Sequence, residues 1–123
     1  MNWYSAALIY VIRVRDSSQD DFPIWENVCL IEAEDDDAAF LRAEAVGRER
    51  EIDDPSLFLD DKPAKMSFYG VRKLFLVDAP FDAPEGSDPK HGSEVAFSRY
   101  SVSSQDDLNK LMCGDCVQIL FEG

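Results

Sequence analysis

The first run of alternating side chains, Trp3 to Arg15, is apolar on both faces. Tyr4, Ala6, Leu8, Tyr10 and Ile12 lie on one side, and Trp3, Ala7, Ile9 and Val11 on the other. A strand with that pattern is covered from both directions, which places it in the middle of a sheet. Asp16 to Asp21 is a turn cluster and Ile24 to Ala33 reads as a second strand, so the two predict an antiparallel hairpin with a long acidic connection. The period then changes. Glu34 to Asp37 supply N-cap candidates and first-turn acids, and a helix is expected over Asp37 to Glu51. Its Ala39, Ala43 and Val46 form an apolar side that lets the backbone lie close to a sheet, opposite the charged side of Asp37, Glu44, Arg48 and Glu51. Gly47 weakens the late turns, and Asp53-Asp54-Pro55 marks a firm break.

Leu57 to Leu59 is a short apolar patch in an acidic loop that ends at Asp60-Asp61-Lys62-Pro63. Met66 to Asp78 predicts a third strand, in which Gly70 signals a bulge or a close approach of another group to the backbone. Pro80 to Gly92, with three prolines and two glycines, is expected to be the most flexible segment. Glu94 to Ser103 reads as a fourth strand. Ser104 then resembles an N-cap for a short helix over Gln105 to Met112, with Gly114 as its stop, and Cys116 to Phe121 closes the chain as a fifth strand. The order is β-β-α-β-β-α-β. This is an α+β fold over residues 1–123 as one domain, with a single antiparallel or mixed sheet of about five strands and one main helix packed on a face.

Composition changes the picture through charge. Hydrophobic residues make up 46% of the 123, enough for a packed core, while 25 acidic residues against 12 basic ones leave a net charge of −13. A field of that sign repels phosphate backbones, so direct nucleic-acid binding by charge neutralisation is not expected. No apolar run approaches the ~20 residues of a membrane span. The longest, Ala6 to Ile12, lacks the basic flank and cleavage site of a signal peptide, so no membrane association and a cytoplasmic location are expected.

Few residues offer chemistry. Three cysteines do not read as a disulfide framework. Cys113-Gly-Asp-Cys116 follows a helix, where the dipole has the wrong sign to activate a thiolate, and a zinc site would need Cys29 and His91 to converge on it. The expectation is a helix-to-strand turn flanked by two small, partly buried thiols. His91, the single histidine, is expected to be a solvated loop residue, so no base stands ready beside a nucleophile. No phosphate-binding glycine loop is present. Glu26, Glu32 and Glu94 fall on predicted strands, where a fold could bring them together into a carboxylate or magnesium site. Trp3 and Trp25 are expected to pack in the core or at a hairpin end. No catalytic residue, metal ligand or cofactor is assigned.

Trp3-Tyr4 opening the first strand, Glu26 and Leu30-Ile31-Glu32-Ala33 in the second, and Ala39 and Ala43 on the helix together resemble a family of small bacterial proteins. That family is a domain of unknown function numbered 4288. Phe68-Tyr69-Gly70-Val71 with Lys73-Leu74, and Gly92-Ser93-Glu94-Val95, extend the resemblance over roughly Trp3 to Tyr100. It implies a grouping and supplies no catalytic residue. The Cys113 to Cys116 segment falls outside it.

The informative feature is where the charge lies. Glu34, Asp35, Asp36 and Asp37, then Asp53 and Asp54, then Asp60 and Asp61 bracket the main helix and the loop after it, and on this fold they could gather on one side. Such a surface steers a basic protein and loses affinity in salt. These eight residues are the expected partner-binding set, in a non-enzymatic module such as an immunity protein against a cationic toxin. The alternatives are a nucleic-acid mimic that blocks a DNA-binding protein, and a small carboxylate-dependent enzyme. Exposed sheet edges also allow a homodimer.

Overall fold

The computed structural model describes residues 2–15, 19, 21–53, 57–59, 62–77, 91–92, 94–115 and 117–121. Six strands and two helices follow one another: β1 (Asn2–Val14), β2 (Phe22–Ala33), α1 (Asp36–Glu49), β3 (Phe58–Leu59), β4 (Lys62–Leu76), β5 (Glu94–Val102), α2 (Gln105–Cys113) and β6 (Leu120–Phe121). They form one sheet in the order β3-β4-β1-β2-β5-β6, and every neighbouring pair is antiparallel. The fold is α+β. No helix among the described residues is long and apolar enough to cross a membrane.

β1 lies inside the sheet, as its two apolar faces predict, and each face feeds its own core. Tyr4, Ala6, Leu8, Tyr10 and Ile12 meet Cys29 and Ile31 of β2 and Ala39, Ala43 and Val46 of α1. On the other face Ile9 and Val11 meet Phe22 and Ile24 of β2, Tyr100 and Val102 of β5, and Leu108 and Leu111 of α2. The main helix therefore covers one face, and the shorter helix covers one end of the opposite face.

Both helix starts follow the sequence signals. Ala38 N–H donates to the Asp35 carboxylate at 2.8 Å and Asp107 N–H to the Ser104 hydroxyl at 3.0 Å. Gly114 closes α2 in the left-handed conformation, with φ 81°. Gly47 does not end α1 early. It is buried against the Phe68 ring, which occupies the space a Cβ would need, and its carbonyl accepts from the Tyr10 hydroxyl at 2.9 Å. Gly70 lies opposite Ile9, next to a register irregularity between β1 and β4, and a Cβ there would press on Met112 of α2.

Three expectations are corrected. The patch at Leu57 to Leu59 contributes a sixth strand, β3, through a two-residue pairing of Phe58 and Leu59 with Pro63 and Lys62. β4 begins at Lys62, four residues before the expected Met66, because the end of β1 continues to pair with it: Val14 faces Ala64, and Arg15 N–H donates to Pro63 O at 2.9 Å. The closing strand shrinks to Leu120–Phe121, paired with Ser101 and Tyr100. The segment expected to be most flexible, Pro80 to Gly92, lies outside the described residues apart from His91 and Gly92.

Candidate functional site

Of the expected partner-binding residues, Glu34, Asp35, Asp36 and Asp37 come together at the start of α1, and all four are exposed. Part of their placement has a local cause. Asp35 is the N-cap, and Asp36 and Asp37 stand in the first turn beside the positive end of the helix dipole. Among the described residues none of the four makes an ion pair. Asp53 is not with them. It follows the far end of a 14-residue helix that is about 21 Å long, and it pairs with Arg15. Asp54, Asp60 and Asp61 lie outside the described residues.

The three strand carboxylates do not converge. Glu26 and Glu32 are six residues apart on β2, about 20 Å of strand, and Glu94 starts β5 opposite Cys29. Among the described residues no group of three or more His, Cys, Asp or Glu side chains could hold a metal ion. Glu26 has a different role, which the sequence reading missed. Arg72 of β4 reaches across β1 and grips it with two bonds, Nε to Oε1 at 2.8 Å and Nη2 to Oε2 at 2.9 Å. The Tyr100 hydroxyl of β5 adds a third, to Oε1 at 2.7 Å. Burial works to raise the Glu26 carboxyl, but the bonds from Arg72 and Tyr100 outweigh it and hold the group below its ordinary value. Burial and the same carboxylate push the Tyr100 phenol well up. This network forms the polar wall of a cleft of about 370 Å³, whose other walls include Leu111, Val117, Ile119 and Phe121.

A second cleft, of about 340 Å³, opens beside the last turns of α1. Arg42, Ala45, Val46, Glu49, Arg50, His91 and Gly92 line it. His91 is exposed, as expected, but it is held. Glu32 N–H donates to its Nδ1 at 3.1 Å, and Gly92 N–H donates to Leu30 O at 2.6 Å, which lays both residues along the edge of β2. Arg42 donates to Glu32 O. Arg50 donates to Gly92 O at 2.6 Å and to the Cys29 thiol at 3.2 Å. Partial burial and, secondarily, Arg42 lower the His91 pKa, so the ring is neutral at pH 7.

Of the two thiols expected to be partly buried, Cys113 is exposed and Cys116 lies outside the described residues. Cys113 stands in the last turn of α2, the end whose dipole disfavours a thiolate. Cys29 is fully buried in the α1-side core, and burial raises its pKa despite Arg50. Trp25 is partly buried, with the Arg99 guanidinium 4.4 Å from its ring centre.

No curated protein and no solved structure matches the chain. A family profile does, over residues 3–96, from β1 into β5. The matched segment contains the acidic start of α1 and the cleft beside His91. Tyr100, α2 and the rest of the Glu26 cleft's apolar wall lie beyond it. The two hairpin strands, the alanine-faced helix and the long strand β4 are all inside a match that spans three quarters of the sequence, and the chain belongs to the family described as domain of unknown function DUF4288.

Proposed function

We propose that this chain is a non-enzymatic protein-binding module of the cytoplasm whose acidic end, Glu34 to Asp37, receives a basic protein. Its most concrete form is an immunity protein that caps a cationic toxin. The observation that carries the reading is four consecutive exposed carboxylates at one helix end with no ion-pair partner among the described residues. A few net charges already keep a small domain soluble. A charge of −13 adds self-repulsion, and a cationic partner relieves it. The clefts point the same way. The Glu26 carboxylate and the Nδ1 lone pair of His91 are engaged by protein donors, so neither stands ready as a general base.

The test leaves the helix cap in place. Glu34→Lys together with Asp37→Lys keeps Asp35, so α1 still starts correctly. Association with a basic partner at low salt is expected to slow about tenfold or more, with the melting temperature little changed. An unchanged association rate overturns the reading.

A further inference from the structure

The cleft beside His91 runs against the charge of the whole molecule. The chain carries 25 acidic and 12 basic residues, yet among the described residues this cleft gathers two arginines and the only histidine of the sequence against one acid, Glu49. Its hydrogen bonds also fix what those groups present. A backbone N–H can only donate, so Nδ1 of His91, which takes the Glu32 N–H, carries no proton and Nε2 carries it. The imidazole is therefore a donor on its other nitrogen without being charged. Arg42 and Arg50 have five N–H groups each and no acceptor, and the bonds to Glu32, Gly92 and Cys29 engage only some of them. All three residues are exposed, so their remaining donors are within reach of solvent. Val46, buried in α1, and Ala45 supply the apolar side.

We infer that this cleft binds a small oxyanion, the phosphate or carboxylate group of a metabolite-sized ligand, through the guanidiniums of Arg42 and Arg50 and the Nε2–H of His91. Planar N–H forks match the oxygen pairs of both anions, and charge-assisted bonds of this kind are about twice as strong as neutral ones. Glu49 in the cleft and Glu32 beside His91 oppose the anion and set the affinity in the weak range.

Inorganic phosphate is the probe, followed by amide NMR at pH 7 with sodium chloride at matched ionic strength as the control and sodium acetate as a second arm. Saturable shifts are expected at Ala45, Val46, Glu32 and Gly92 with phosphate and not with chloride. Saturation by phosphate alone assigns a phosphate-bearing ligand, and saturation by acetate, with or without phosphate, assigns recognition of the oxygen pair that a carboxylate presents. Arg42→Gln is expected to weaken binding about tenfold. Glu49→Gln is expected to tighten it about two- to fivefold, a gain that misfolding does not produce. Shifts that track chloride overturn the inference, as does an affinity that neither substitution moves.

Discussion

Glu26 occupies a position where the alternation of β2 calls for an apolar side chain, on the same face as Phe22 and Ile24. It is tolerated there because Arg72 and Tyr100 satisfy it. Removing one partner is therefore worse than removing the pair. Arg72→Met alone is expected to cost about 2–4 kcal/mol in chemical denaturation, and Arg72→Met with Glu26→Leu markedly less. The pair also sets a pH dependence. The folded-state pKa of Glu26 lies below its unfolded value, so the folded state binds fewer protons in that range. The stability it contributes is complete above about pH 4.5 and is lost as pH falls through the folded value. Acid denaturation followed by circular dichroism is expected to show a shallower loss of stability below that pH in Glu26→Gln than in the parent. At this scale the sequence was least legible. Glu26 was visible as a strand carboxylate, but its grouping with Glu32 and Glu94 failed, because pairing across three strands depends on a strand order that one chain does not display. The available signal was parity, a charge on the apolar side of β2 that demanded an opposite charge from elsewhere on the same face of the sheet. His91 was similarly opaque, since its bond to Glu32 spans 59 residues.

Elements were more legible, because their signals are local. Ser104 caps α2 where it was expected to, Asp35 caps α1 from among the candidates Glu34 to Asp37, and Gly114 stops α2. Asp35→Ala is expected to lower stability by about 1 kcal/mol, whereas Asp35→Asn, which keeps the capping oxygen, is expected to stay within a few tenths by the same denaturation measurement. Gly47 shows where local reasoning stops. Propensity treats it as a weak point in α1, but the Phe68 ring of β4 fills the space its missing side chain leaves. Gly47→Ala is expected to destabilise the protein by about 1–3 kcal/mol even though alanine is the better helix former, measurable as a lower melting midpoint. Strand ends were set by partners in the same way. β4 starts early because β1 is long enough to pair with it, and β3 pairs with Lys62 and Pro63 at that early start.

For the whole molecule, the two apolar faces of β1 were enough to place it inside the sheet and to imply cover on both sides, and the two cores bear that out. Charge was legible in amount but not in arrangement. The acids bracketing α1 are neighbours in the sequence pattern, yet a helix about 21 Å long stands between Glu34 to Asp37 and Asp53, which pairs with Arg15. The proposed partner surface is the compact group at the start of α1. The most direct test of that surface compares two baits in lysate of the source organism at low salt: the parent chain, and a variant carrying Glu34→Gln, Asp35→Asn, Asp36→Asn and Asp37→Asn, with both confirmed as folded. The account predicts a stoichiometric basic protein held by the parent, released by moderate salt and absent from the variant. A partner held equally by both baits, or no basic protein on the parent, contradicts it.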